Sequence, residues 1–181
     1  MTLSLNNITF IIVTFKSEYI IHECIESLPK DSNIIIIENS NNEELKKELE
    51  EKYSKINVIV QENSGMGSAN NKGIKFCKTD YAFVINPDVK FYENTINELI
   101  ALSSKLNDYS ILAPISDNVK YPNYKINNKR ITNDNPDCLS VDSVDGYAML
   151  INKKKFSKNI YFDENFFLYL ENDDLCLRQK K

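Results

Sequence analysis

A chain of 181 residues, 42% of them apolar and 27% charged, is sized for one domain around one substantial core and is not a disordered polymer. Its formal charge of −4, from 22 basic against 26 acidic residues, argues against a surface built to neutralise nucleic-acid phosphates, so no nucleic-acid partner is expected. One histidine, His22, leaves almost no material for a histidine zinc site or a Ser-His-Asp triad, and its place on an apolar helix reads as structural. Cys24, Cys77, Cys138 and Cys176 lack paired metal spacing and read as buried thiols of a reducing compartment.

The elements follow one another with a clear rhythm. Ile8 to Phe15 is a β-branched and aromatic run with little alternation, the pattern of a strand buried on both faces of a parallel sheet. Ile21, Cys24, Ile25 and Leu28 recur at helical spacing, and Pro29 closes that segment. Asn33 to Glu38 is a second buried strand. Asn41 or Asn42 can cap the next helix, whose apolar stripe is Leu45, Leu49 and Tyr53 and whose outer face offers Glu43/Lys47 and Glu48/Lys52 pairs. Ile56 to Val60 is a third strand, Ser64 to Cys77 a glycine-rich turn into a helix, and Tyr81 to Ile85 a fourth strand. Ile96, Leu99 and Ile100 mark another helix and Ile111 to Ala113 another strand. Such alternation predicts an α/β/α three-layer domain with a mostly parallel sheet and right-handed crossovers.

Residues Ser116 to Ser140 break the rhythm with a polar excursion poor in core formers, of the kind that runs over a functional site. A β-like segment, Val141 to Ile151, and a short basic helix follow. An aromatic run (Tyr161, Phe162, Phe166, Phe167, Tyr169) then leads into an acidic helix start at Glu171. Nothing marks a linker, so residues 1–181 read as one domain with two parts, over about 8–115 and about 116–181. The N-terminus lacks a basic region followed by an apolar run, and no apolar stretch approaches the roughly 20 residues of a membrane span. A cytosolic chain is expected, with room for peripheral attachment at a membrane face.

Ligands of a parallel sheet bind beyond the carboxyl ends of its strands, so the polar residues there are the first candidates. They are Thr14, the group Glu38-Asn39-Ser40, the segment Asn63 to Gly67, and Asn86-Pro87-Asp88. The stretch from Gly65 begins like a dinucleotide fingerprint but carries Asn70 where the third glycine belongs, and it follows the third strand; a Rossmann dehydrogenase is therefore disfavoured. Glycines at a helix start suit close approach to an anion, or simply tight packing. Asp88 at a strand end suits a hard divalent cation, with diphosphate oxygens and water completing its shell, or a turn. Glu171, Asp173 and Asp174 suit a capped helix N-terminus, or a base set against aromatic walls.

Together the segments IIVTFKS, IIIIENSN, ENSGMGSANNKGI, FVINPDV, VDGYAMLINKKKF and FDENFFLYLENDDLCLR resemble the family-2 glycosyltransferases, especially the rhamnosyltransferase-like branch, from Ile8 to about Arg178. That resemblance implies a GT-A fold and inverting transfer of a sugar from a nucleoside diphosphate, UDP- or dTDP-linked, to a glycan or lipid-linked acceptor in surface polysaccharide synthesis. It implies a divalent cation, Mn²⁺ or Mg²⁺, at Asp88. It also implies nucleotide contacts from Thr14, Glu38, Asn39, Gly65, Gly67, Asn70, Asn86 and Asp88, and a sugar or acceptor pocket at Asp145 and Gly146. Three departures stand out. Glu38 replaces the usual aspartate, Asn86-Pro87-Asp88 replaces Asp-x-Asp, and the family's Glu-Asp pair, whose aspartate is the expected base, reads Glu171-Asn172. An amide accepts no proton at neutral pH, so Glu171 is the expected base, with Asp173 or Asp174 behind it. The resemblance makes 8–115 the nucleotide-binding part and 116–181 the acceptor-side part; family members usually continue past residue 181, and the expectation is an acceptor side that is incomplete here. The alternative is a non-catalytic or partner-dependent nucleotide-sugar-binding module; an oligomer or second chain would fit it. A nucleotidyltransferase ranks lower, because such enzymes tend to place their glycine-rich stretch after the first strand.

Overall fold

The computed structural model of the chain describes residues 3–106, 108–126, 137–157 and 160–179; of the polar excursion 116–140, residues 127–136 lie outside these. The elements in order are β1 (Ile8–Thr14), α1 (Ile21–Glu26), β2 (Asn33–Glu38), α2 (Glu43–Lys52), β3 (Ile56–Val60), α3 (Met66–Phe76), β4 (Tyr81–Ile85), α4 (Thr95–Ser103), β5 (Ile111–Leu112), β6 (Tyr124–Lys125), β7 (Ser143–Val144), β8 (Ala148–Asn152) and α5 (Glu171–Gln179). Lys153–Lys155, the expected basic helix, is a single 3₁₀ turn. β1 ends one residue short of the expected Phe15, which is exposed.

Six strands form one sheet in the order β3-β2-β1-β4-β8-β5, and β6 pairs with β7 in a small hairpin. β1, β2, β3 and β4 are parallel, each joined by a helical crossover, whereas β8 runs antiparallel between β4 and β5. The sequence rhythm gives no sign of that insertion. β8 is fully buried over five residues and offers β4 a longer ladder than the two-residue β5 could. The β-like segment 141–151 accordingly splits into β7 and β8 around a turn at Asp145, Gly146 and Tyr147.

Every residue of β1 and β4 is buried because the sheet carries helices on both faces. Phe10, Ile12, Ile36 and Phe83 pack with α1, α2 and α4 on one face, and Phe10 stacks on Phe83 with ring centroids 5.5 Å apart. Ile11, Val13, Ile37 and Val84 pack with α3, Phe162 and α5 on the other. α3 lies close on the sheet at Gly73, where a Cβ would come within 2.4 Å of Ile11 Cγ2.

Asn42 caps α2, its side chain accepting the Leu45 N–H at 2.9 Å. The expected Glu43/Lys47 and Glu48/Lys52 pairs do not form. Lys47 pairs with Glu51, Lys52 reaches Glu26, and Glu48 reaches His22 Nε2 at 2.9 Å. Exposed pairs are worth so little that any nearby partner can redirect them. His22 also lies 3.0 Å from the Tyr53 hydroxyl, bonded between α1 and α2 as the structural reading expects. Three cysteines are buried, but Cys138 is only half-buried.

Candidate functional site

The site follows from strand register. Thr14 pairs with Glu38 and Glu38 with Val60, so the carboxyl ends of β1, β2 and β3 are level. Ile12 pairs with Ile85, which carries Asn86, Pro87 and Asp88 out beside Thr14. Strand order reverses between β1 and β4, the position at which a doubly wound sheet opens a crevice.

These tips differ in what they offer. Thr14 is fully buried, and among the described residues its Oγ1 has no hydrogen-bond partner. Asp88 is exposed, while the Asn86 backbone is tied down: its N–H donates to the Tyr147 carbonyl at 2.9 Å. Glu38 is fully buried and turned into its own loop. Its carboxylate accepts the Ser40 N–H at 3.0 Å, the Ser40 hydroxyl and the Asn42 N–H. The extra methylene relative to aspartate lets it reach round the turn, and it shapes that turn rather than facing the crevice. Asn39 ties the β2 and β3 tips together, donating to Asn63 Oδ1 at 2.9 Å and accepting from Gln61 Nε2 at 2.8 Å and the Ser64 N–H at 3.2 Å.

The glycine-rich segment faces the aromatic run. Gly65 has φ +84° and ψ 168°, a region essentially reserved for glycine, and a Cβ there would stand 2.5 Å from the Phe167 carbonyl oxygen. The Met66 N–H donates to that same carbonyl at 2.8 Å. Gly67 lies against Phe162, Asp163 and Phe166. Asn71 locks the contact, donating to the Phe162 carbonyl at 2.8 Å and accepting the Phe162 N–H at 3.0 Å. The close approach that the glycines permit is therefore to the 162–167 backbone. Asn70 is buried beside this seam, and among the described residues its Oδ1 has no partner.

α5 sorts its three acids. Asp173 pairs with Lys125 at 2.6 Å and Asp174 with Arg178 at 2.8 Å. Burial alone would raise the Asp173 carboxyl, but hydrogen bonds from Lys125 and Ser143 outweigh it and hold the group below the ordinary aspartate value. Glu171 is buried, forms no ion pair among the described residues, and its Oε2 has no hydrogen-bond partner there. Of the three it is the one with no ion pair among the described residues. Asn172 serves as a strut: its amide donates to the Val144 carbonyl at 2.9 Å, and its Cβ lies 3.3 Å from where a Cβ of Gly146 would stand. An ionised aspartate could not donate there. Asp145 sits in the same turn, its N–H bonded to the Asn123 carbonyl at 2.8 Å.

The candidate site thus offers an exposed carboxylate at a strand tip, Asp88, and a buried one at the α5 start, Glu171, which forms no ion pair among the described residues. Among the described residues no three His, Cys, Asp or Glu side chains cluster as a metal cage. Asp88 fits a hard cation as a single oxygen ligand, with the remaining positions left to diphosphate and water. Asn71, Lys125 and Asn123 were not singled out in the sequence. They carry long-range contacts, and polar residues within loops or helices give no local signal of them.

This is a GT-A-type α/β domain. A profile of glycosyl transferase family 2 matches residues 9–172, and the chain belongs to that family. It is 24% identical, over 98% of its length, to the low-salt glycan biosynthesis hexosyltransferase Agl10 of Haloferax volcanii, of which it spans 62%. It is 27% identical, over 93% of its length, to the rhamnosyltransferase WbbL of Escherichia coli K12, of which it spans 75%. The fold matches S. aureus TarS 1-349 in complex with UDP at a TM-score of 0.69 and 14% identity, covering 96% of this chain and 54% of that one. It also matches the Pyrobaculum calidifontis mannosyltransferase PcManGT in complex with GDP-Man and Mn²⁺ at 0.65 and 10% identity, covering 88% and 48%. The chain therefore spans about three-fifths of the Haloferax relative and about half of these structural neighbours.

Proposed function

We propose that this chain is the donor-handling part of an inverting glycosyltransferase, which moves a sugar from a UDP- or dTDP-linked donor to a glycan or lipid-linked acceptor in surface polysaccharide synthesis. The observation that carries the reading is the site's pair of unlike carboxylates: Asp88 exposed beside the switch point of the sheet, and Glu171 buried with a free Oε2. Asn86 and Asp88 line the crevice for the nucleoside diphosphate, with buried Thr14 and Asn70 behind them. Glu38 and Asn39 act on it through the turn they hold, and Gly65 and Gly67 through the loop they seat. Asp145 and Gly146 flank the transferred sugar.

In the proposed step Glu171 takes the proton from the acceptor hydroxyl. The oxygen forms its bond to the anomeric carbon from one face as the bond to the diphosphate oxygen breaks on the other, and the electron pair leaves with the diphosphate. Asp88 would hold Mn²⁺ or Mg²⁺, whose charge offsets that of the departing diphosphate when bound. Asp173 and Asp174, each neutralised by a cation, keep α5 in place. The reading places the chain in the cytoplasm, where it meets a lipid-linked acceptor at the membrane face; no helix among the described residues is long and apolar enough to cross a membrane.

The test is donor turnover by the whole chain, read as UDP release from UDP-sugars or dTDP release from dTDP-rhamnose. Glu171→Gln is expected to lower it by about 100-fold or more, the usual contribution of a general base, with nucleotide affinity intact. Turnover retained in Glu171→Gln would remove Glu171 from the role. Nucleotide binding with no turnover in the parent chain would leave a binding module.

A further inference from the structure

Beyond Asp88, on the side away from β1 and β2, lies a cavity of about 670 Å³ between the β4–α4 connection and the segment that follows β5. Its walls include Asn86, Asp88, Lys90, Tyr92 and Thr95 on one side and Ser116, Asp117 and Tyr147 on the other. Both walls are fixed. The first is tied to α1, with the Phe91 N–H donating to Ser27 Oγ at 3.1 Å and Lys90 paired with Glu23 at 2.5 Å, while the Phe91 ring meets Phe83 edge-on at 5.6 Å. The second hangs on buried Asn123, which accepts the Ser116 N–H at 3.0 Å and donates to the Pro114 carbonyl at 2.9 Å. Across the mouth the Tyr92 hydroxyl donates to Asp117 Oδ2 at 2.7 Å.

The lining selects a chemistry. With Asp88 committed to the cation and donor diphosphate, the charged group left on the lining is the Asp117 carboxylate, and Lys90 is already paired with Glu23, so a second phosphate or nucleotide does not belong here. Besides Asn86 and the paired Lys90, the polar groups are the Asp117 carboxylate and the hydroxyls of Tyr92, Thr95, Ser116 and Tyr147, a set that matches a neutral ligand presenting several hydroxyls, and two tyrosine rings supply flat apolar faces for the carbon skeleton of a sugar ring. Position agrees with this. If the nucleoside lies toward β1 and β2 with its diphosphate at Asp88, the space past Asp88 toward β8 and β5 is left for what receives the sugar.

We propose that this cavity is an acceptor subsite, which binds a sugar ring of the acceptor glycan through Asp117, Ser116 and the faces of Tyr92 and Tyr147. The proposal rests on the glycosyltransferase reading above. Prepaid rigidity of both walls lowers the ordering cost of binding. Tyr92 donates to Asp117 in the free chain, and its hydroxyl gives way to a ligand hydroxyl on occupation.

The experiment is saturation-transfer NMR on the whole chain with UDP and Mn²⁺, using methyl glycosides of glucose, galactose, N-acetylglucosamine and rhamnose as probes at millimolar concentration. At least one probe should receive saturation, and Asp117→Asn and Tyr92→Ala should each weaken its binding about tenfold or more, on the order of one well-placed polar contact to a charged group. Both residues are exposed, so both variants should melt with the parent and keep the same nucleotide-induced thermal shift. If no probe binds, or if binding ignores both substitutions, the subsite is wrong. If no nucleotide stabilises the chain, the glycosyltransferase reading fails first, and the two outcomes are told apart in one set of samples.

Discussion

Replacing Gly65 by alanine tests the claim that the glycine-rich segment is built to seat the 162–167 loop. At φ +84° and ψ 168° the backbone occupies a region that costs a side-chain-bearing residue on the order of 1–3 kcal/mol. The added Cβ would stand 2.5 Å from the Phe167 carbonyl oxygen and 3.0 Å from its Cα. Both are backbone atoms, so the neighbour can yield only by moving the loop and lengthening the hydrogen bond from Met66 N–H to Phe167 O, worth about 1 kcal/mol net. Together these cost about 3 kcal/mol, and at about 3 °C per kcal/mol for a chain of this size the melting temperature should fall by about 9 °C. Circular dichroism at 222 nm, with Gly146→Ala as a milder control at 3.3 Å from Asn172 Cβ, would measure it. A melt within about 2 °C of the parent would refute the seating argument.

Three further substitutions follow from the same geometry. Asn172→Asp loses the donor to the Val144 carbonyl and sets a carboxylate against it, so stability at neutral pH should drop by about 1–3 kcal/mol. Because the protonated acid can donate where the ion cannot, the deficit should shrink as pH falls through the carboxylate range, and urea melts at neutral and acid pH would show whether it does. Lys125→Met should bring a small loss of stability. The Asp173 carboxyl is held below its ordinary 3.8, so the lost stability is that present above this value, and the two proteins should converge as pH falls through the depressed value; an unchanged gap in acid would implicate packing instead. Asn71→Ala removes both bonds to the Phe162 backbone and should speed amide exchange in residues 162–167 while sparing β1 and β4; equal exchange in the two proteins would show that the loop is held by something else.

Much of the layered fold is legible because local chemistry dictates it. Runs such as Asn33 to Glu38 read as strands buried on both faces, and Asn41 or Asn42 as the cap of α2, of which the fold uses Asn42. The place of β8 is not local. AMLIN reads equally well as a parallel or an antiparallel strand, and its insertion between β4 and β5 depends on which edge remains open after β4 has formed. The site divides in the same way. Strand-end residues are visible because register aligns Thr14, Glu38 and Asp88 whenever the sheet forms. The partner of a glycine or an asparagine is not visible: Gly65 advertises close approach by some backbone, and only the fold reveals that it is Phe167. The contrast between Glu171 and its acidic neighbours likewise arises from Lys125 and Arg178, one of them 48 residues away from the aspartate it pairs with.

The central claim, that Asp88 at the switch point helps hold a metal-bound sugar diphosphate, is tested most directly by thermal shift with UDP, dTDP and GDP, each with and without Mn²⁺ or Mg²⁺, on the parent chain and on Asp88→Ala. The expected result is stabilisation by at least one nucleotide that grows with metal in the parent and loses its metal-dependent part in Asp88→Ala, since a ligand stabilises the state that binds it. Stabilisation identical in the two proteins, or none from any nucleotide in the parent, would contradict the account.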